Sequence, residues 1–306
     1  MAFDLSNLND YVNETSSELQ FKAILGANTL AKGLVTVQPD VKSAINLNVL
    51  DSTIVAVEGF CGSAFSGVTA LDKVELKVTD VQIDRAFCLK DLEKKWAQVA
   101  FQAGSYQSTL PLEAIFIDEQ NQKVSEVIEK QIWQGDSVAG TGNLGITDGL
   151  LKKIDDAAGV IELTGGTFTV SNAIAKMDEF IQSMPEELLD VETYAYMSPR
   201  QFQTYVNAAI DANLFHVNPV TDYYETGVRH RGSKVTVFPT KGLAAAPNND
   251  IVITYKSNLF VGLDLESDPS NFVGWFEQKD KQYYISIQYK LGTAVLFGSH
   301  VVRVTF

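Results

Sequence analysis

Residues 111–142 read PLEAIFIDEQNQKVSEVIEKQIWQGDSVAGTG, and the periodicity of this stretch decides the fold. Ile117, Val124, Ile128 and Ile132 fall on nearly one stripe, supported by Val127 and Trp133, as on a helix that buries one face. Pro111 suits a first helical position, where its missing N–H costs nothing. Glu113 and Asp118 lie near the positive end, and Gly135 stops the run. Glu119 with Lys123 and Glu126 with Lys130 are i,i+4 pairs in the favourable order. The spacing predicts a helix over 111–134, about 36 Å long at the α-helical rise and long enough to span a subunit.

The regions around it are of two kinds. Upstream, residues 1–40 are polar and mixed, interrupted at Gly26, Gly33 and Pro39, and read as an arm more than a packed unit. From Val41 to Leu89 the signal is extended. Val74-Glu75-Leu76-Lys77-Val78-Thr79 alternates strictly, one face in and one out. Runs at Ile45–Val57 and Val74–Ile83 flank the turn-rich segment Gly59–Leu71, which predicts a long β-hairpin with a small, polar centre.

Downstream comes a Gly-rich loop to Gly149, a short helix Leu150–Asp156, and then an α/β unit. In that unit Ser171 is a candidate cap for a helix burying Ile174, Met177, Phe180 and Ile181. A strand Thr193–Met197 feeds the capping box Ser198-Pro199-Arg200-Gln201 ahead of Phe202, Tyr205, Val206, Ala209 and Ile210. Strands follow at Lys234–Phe238 and Asp250–Tyr255. The last fifty residues are β-rich, with Ile285, Ile287 and Tyr289 alternating against Ser286, Gln288 and Lys290, and Gly292 and Gly298 as punctuation.

Length and composition bound what such a chain does. Its 306 residues, 45% hydrophobic and 20% charged, suffice for about two compact units with their own cores. The 38 acidic against 24 basic residues leave a net charge of −14, which disfavours a generic nucleic-acid binder. Cys61 and Cys88 are too few for a disulfide framework and read as buried or interfacial thiols. No secretory signal is visible and no run of apolar residues is long enough to cross a membrane, so synthesis and folding in the cytosol are expected.

Several short motifs imitate chemistry. Gly140-Thr141-Gly142-Asn143-Leu144-Gly145 matches G-x-G-x-x-G, but a helix precedes it instead of the strand that a dinucleotide site requires. Asp264, Glu266 and Asp268 are spaced as in a calcium loop, but Pro269 stands where the turn glycine belongs and Trp275 where the bidentate acid belongs. His216, His230 and His300 share no metal-ligand spacing. Arg229-His230-Arg231 is a basic point on an acidic chain, able to contact phosphate but better suited to an intersubunit salt bridge with an acidic neighbour. These residues predict no catalytic, cofactor-binding or metal site.

Taken in order, five segments carry a resemblance: Val74 to Ile83 with Cys88-Leu89-Lys90-Asp91-Leu92-Glu93-Lys94-Lys95-Trp96; the long helix with Gly135–Gly142 and Gly149-Leu150-Leu151; Met197-Ser198-Pro199 with Asn213-Leu214-Phe215-His216; Lys256–Asp264; and Lys290–Ala294. The series resembles major capsid proteins of tailed bacteriophages with the HK97-type fold. The resemblance implies an α+β subunit with an N-terminal arm (1–40), an extended β-hairpin loop (41–89), a peripheral domain (90–157 plus 256–306) carrying the spine helix 111–134, and an α/β apical domain (158–255). It implies a non-enzymatic virion protein that self-assembles into hexamers and pentamers of an icosahedral head. Portal, scaffolding and decoration proteins are the partners implied; double-stranded DNA is enclosed without sequence-specific binding, and neither a membrane nor a cofactor is involved. No fused scaffolding helix is expected before the arm. The alternative is an encapsulin-like nanocompartment shell, disfavoured by the polar segment Ser6–Tyr11; a nucleotide-binding enzyme using Gly140–Gly145 is more remote.

Overall fold

Two sheets share one long helix. A computed structural model describes residues 16–54, 67–88, 112–212, 223–244, 246, 249–264, 272–280 and 282–306. Helix α1 (Ser16–Leu25) and the single turn α2 (Asn28–Ala31) lead to strands β1 (Thr36–Gln38), β2 (Ala44–Ile54), β3 (Gly67–Lys77) and β4 (Thr79–Cys88). The long helix is α3 (Leu112–Gln134), followed by a 3-10 turn at Gly142–Leu144 and α4 (Leu150–Asp156). Then come β5 (Ile161–Thr164), α5 (Ala173–Gln182), α6 (Glu186–Leu189), β6 (Thr193–Met197), α7 (Pro199–Asp211), α8 (Tyr223–Thr226), β7 (Val228–Arg229) and β8 (Val235–Pro239). Strands β9 (Ile251–Thr254), β10 (Leu259–Asp264), β11 (Phe272–Glu277), β12 (Gln282–Val295) and β13 (Val302–Thr305) complete the chain.

The first sheet is built on β12, which pairs β10 and β11 along one edge and β4 along the other, with β1 parallel to β10. Its inward residues Tyr283, Ile285, Ile287, Tyr289 and Leu291 are all buried, as the alternation requires. The second sheet runs β5-β13-β9-β6-β8-β7. Alternation along β6 sends Ala195 and Met197 into a core with α5 and α7, and Tyr196 into the core that holds α3. The second sheet is thus covered on both faces, and α3 lies in the core that joins the two sheets.

Helix α3 meets its expectation closely. Ile117, Ile128, Ile132 and Trp133 are fully buried and Val124 nearly so, while Glu119 and Glu126 are exposed. Pro111 and the Glu113 side chain lie outside what is described. The ion pair differs from the expectation: among the described residues Lys123 joins Glu126 at 3.3 Å, an i,i+3 contact, in place of the two i,i+4 pairs. Both side chains are more than half exposed, so neither arrangement is worth much.

Three expectations are corrected. Residues 19–35, read as part of an arm, are packed: Leu19, Ala23, Ile24, Ala27, Leu30, Leu34 and Val35 belong to the core around α3. The spacing of Leu19, Ala23, Ala27 and Leu30 is helical, but small residues among polar ones dilute the signal. The second arm of the hairpin is also shifted. Strand β2 pairs with β3 from Ala44↔Lys77 to Ile54↔Gly67, and the chain breaks at Val78, so that 79–88 joins the first sheet instead. Residues 67–71, taken as turn, are therefore strand; residues 55–66 lie outside the described set. Finally Ser171 is not the cap of α5: Asn172 occupies that position without a side-chain cap bond. The capping box at Ser198 and Gln201 is present in full, although Ile210, assigned to the buried stripe of α7, is 40% exposed.

Candidate functional site

No catalytic constellation organises the described residues; what the fold presents are surfaces and the joints that hold them. The first of these surfaces is the β2–β3 ribbon. Each strand has 11 residues, about 35 Å at the strand rise, and among the described residues neither pairs with a third strand. Such a two-stranded ribbon is marginal by itself. Its base is seated. Leu76, Val78, Val41 and Ala294 form a small core, with Ile45, Leu47 and Val74 half-buried against it. The seat is a pair of glycines in register, Gly262↔Gly292. A Cβ on Gly292 would collide with the Lys77 carbonyl, and one on Gly262 would press Leu76 at 3.1 Å. Glycine 292 is thus a close-approach site inside a continuous strand, not the punctuation its sequence position implies.

The spine helix holds the rest of the subunit through polar groups on its buried side. Glu129, 2% exposed, accepts hydrogen bonds from the Thr29 N–H (2.8 Å), the Thr29 hydroxyl (2.6 Å) and the Gly242 N–H (3.1 Å). Trp133 donates its indole N–H to the Thr29 oxygen at 2.8 Å. Burial pushes the Glu129 carboxyl above its ordinary range, and the hydrogen bonds from Thr29 and Gly242 oppose that rise. Gln134 donates to the Gly242 and Ala244 carbonyls, and Ser125 donates to the Ala23 carbonyl at 2.6 Å. One helix therefore ties together the N-terminal segment and the turn after β8. A periodicity search scores Glu129 only as one more surface acid, so sequence reasoning misses it.

A second polar joint lies between β13, β9 and α4. Arg303, 6% exposed, pairs with Asp155 and with Asp250, the latter at 3.3 Å. Burial raises the Asp250 carboxyl to about 6, the Arg303 guanidinium being shared with Asp155.

The sequence-level imitations of chemistry resolve into structure. In Gly140–Gly145 the loop closes on itself: the Gly140 N–H reaches the Asp136 carbonyl at 2.8 Å, the Gly145 N–H reaches Gly142, and the Asp136 N–H reaches Leu144. The Asp136 carboxylate accepts from the Val138 and Ala139 N–H groups, and helix α3 precedes the loop where a dinucleotide site needs a strand. Asp148 is partly buried, which alone would raise it, but hydrogen bonds from Ser137 and Lys153 hold it down at about 2. Asp264 is paired with Lys290 at 2.7 Å, while Glu266 and Asp268 lie outside the described residues, as do His216 and Cys61. Cys88, expected to be buried or interfacial, is exposed on this chain.

Two of the three residues Arg229-His230-Arg231, assigned to an intersubunit salt bridge, are engaged within the chain. His230 is buried with Nε2 at 2.7 Å from Asp178 and Nδ1 at 2.8 Å from the Tyr205 hydroxyl, and Arg231 holds the other Asp178 oxygen at 2.6 Å. This network fastens the β7–β8 turn to α5 and α7. His300 lies 3.2 Å from the Tyr255 hydroxyl and far along the chain from this cluster.

Beside α3 a groove of about 670 Å³ opens toward the edge of β4, floored by Ile83, Val124, Val127 and Ile285 and rimmed by Lys123 and Lys130. It carries no set of convergent acid, base or nucleophile. No described helix is long and apolar enough to cross a membrane.

By sequence, no protein-family model and no curated protein matches the chain. By structure, many solved chains do. A chain from the capsid of an empty GTA particle aligns with TM-score 0.58 at 11% identity, covering 92% of this chain and 89% of that one. One from the satellite phage P4 procapsid gives 0.58 at 12%, covering 100% and 91%. One from a virus-like particle of Pyrococcus furiosus gives 0.50 at 9%, covering 94% and 97%. The likeness spans nearly the whole of each chain: this chain has the HK97-type fold of tailed-phage capsid subunits.

Proposed function

We propose that the chain is the major capsid protein of a tailed phage, a structural and non-catalytic subunit that assembles into hexamers and pentamers and closes an icosahedral shell around double-stranded DNA. The carrying observation is the β2–β3 ribbon: in a fold shared with capsid subunits along nearly its whole length, it pairs with no third strand among the described residues, and the core seen beneath it lies at its base. An element that its own chain leaves half-supported is completed by a neighbour. The charge of −14 agrees, because a wall studded with cations would grip packaged duplex through its phosphates. In this reading the protein resides in the virion after assembly in the host cytoplasm, and portal, scaffolding and decoration proteins are its further partners. The division into arm, extended loop, peripheral domain and apical domain is kept, with residues 19–35 moved from the arm to the peripheral core.

The virus-like particle aligns less well than the phage and GTA capsids, 0.50 against 0.58, and Ser6–Tyr11, the segment proposed to decide against a nanocompartment, lies outside the described residues. Electron microscopy of the purified, concentrated protein tests the function directly, with closed shells expected. Replacing residues 55–66 by a two-residue turn should leave a soluble, folded subunit and abolish the shells. Normal shells from that deletion would remove the ribbon from the assembly mechanism.

A further inference from the structure

One end of the second sheet carries both signs of charge side by side. The register Thr193↔Val235 places the starts of β6 and β8 next to each other, so the segment before β6 and the turn before β8 are neighbours. Residues 186–192 read EELLDVE, with four acids in seven positions, and residues 229–234 read RHRGSK, with three permanent cations in six. All four acids are exposed. Lys234 reaches Asp190 at 2.6 Å and Arg231 is held by Asp178. Arg229 is different: its Nε donates to the Ser233 carbonyl at 2.9 Å, and among the described residues no carboxylate pairs with it. Glu186, Glu187 and Glu192 likewise have no cationic partner among the described residues.

The ground between the two charges is polar apart from Leu189. A shallow hollow of about 620 Å³ runs from Leu189 and Asp190 to Arg229 and Lys234. Leu189 is 44% exposed and the nearby Val191 43%. Among the described residues β7 is the outermost strand of the sheet. The basic turn therefore stands at the rim, with the acidic segment two strands further in, roughly 10 Å away at the inter-strand spacing.

A surface with acidic and basic halves displaced sideways is complementary to a shifted copy of itself, the head-to-tail relation that closes rings. We propose that this end of the apical unit is a contact between copies of the chain, in which the Arg229 turn of one copy faces the Glu186–Glu192 segment of the next and Leu189 and Val191 are covered between them. The occupant is a second copy and not a polyanion. Four carboxylates beside the turn repel phosphate, and exposed leucine and valine suit protein side chains. This inference rests on self-assembly and names one of its contacts. It keeps for Arg229 alone the intersubunit role that His230 and Arg231, already engaged, do not have.

The test is a charge exchange. Arg229 makes one backbone contact, so Arg229→Glu should fold with an unchanged circular-dichroism melt while capsomer-sized oligomers and shells, counted by native mass spectrometry and electron microscopy near 0.1 M salt, fall at least tenfold. Glu187→Lys with Glu192→Lys should lose assembly to the same extent. Combining all three changes in one chain restores the opposite pairing and should recover most of the particles. Wild-type yield from Arg229→Glu, or no recovery in the combined variant, overturns the contact. A wild type that stays monomeric overturns both this contact and the function proposed above; a wild type that forms oligomers but never closed shells overturns the shell alone, and the variants then test the contact on the oligomers.

Discussion

Helix α3 and the β2–β3 ribbon are two long constructions of similar reach, and they are stabilised in opposite ways. The helix is surrounded: its apolar stripe is fully buried, and Ser125, Glu129, Gln131 and Gln134 spend their polar groups on parts of the chain that lie far away in sequence. Among the described residues, the ribbon's support is at its base, where Leu76 and Val78 rest on Gly262 and Gly292. Under the proposed function, the difference separates folding from assembly. Damage to the helix should destroy the subunit, whereas damage to the ribbon should spare the subunit and destroy the particle.

The largest expected effect is that of Ile128→Asp, which places an unpaired carboxylate in the core at a cost of several kcal/mol or forces its protonation. With only about 5–15 kcal/mol of stability in an ordinary domain, the soluble yield should collapse. A soluble, assembling variant would mean that the stripe faces water. Next is Glu129→Ala. It strands the buried N–H groups of Thr29 and Gly242, and losing two such acceptor contacts costs about 3–5 kcal/mol. Chemical denaturation should show it as a lowered midpoint, with exposure of Trp133 as an optical signature.

Asp250→Asn extends the comparison to the joint at Arg303. The folded-state carboxyl is raised to about 6 from 3.8, so its ionised form opposes folding. That penalty is fully present above the folded value and fades as pH falls toward the unfolded one. The stability of the variant relative to wild type should therefore rise between about pH 4 and pH 6, on top of a pH-independent loss from leaving Arg303 with Asp155 alone. Thermal melts across that range measure it, and a constant difference would assign the effect to packing.

Gly292→Ala probes the ribbon. Its methyl group would meet the Lys77 carbonyl, and overpacking of this kind costs about 1–3 kcal/mol. A folded subunit with few or no shells is expected; loss of folding would mean the ribbon base is part of the core after all. The smallest effect belongs to Glu126→Gln, which removes only the exposed contact with Lys123, worth roughly 0.2–0.5 kcal/mol. Soluble yield and particle count should both stay at the wild-type level.

Much of this architecture was legible before any coordinates. The stripe from Ile117 to Ile132, the helix Leu150–Asp156, the strand Thr193–Met197 and the capping box at Ser198 are all local patterns: each residue's role is set by neighbours three or four places away, or by the side-to-side alternation of a strand. The ordered series of weak motifs then pointed to the fold that the solved capsid structures share. The misreadings have a common cause. Val78 looks like the middle of one strand, because alternation continues through it, yet the chain changes partners there.

The sequence by itself therefore determined most of the long helices and strands, which of their faces are apolar, and that the chain carries a strong acidic excess. Tertiary structure alone decided that residues 19–35 pack on α3, that Glu129 is a buried acceptor, that Gly292 is a seat, and that Asp178 claims His230 and Arg231. Each of these depends on a partner tens to hundreds of residues distant: Glu129 lies 100 positions from Thr29 and 113 from Gly242. Periodicity reports how an element is made and not what is brought against it, because the hydrogen bonds and close contacts that settle those roles form only when distant segments are packed together.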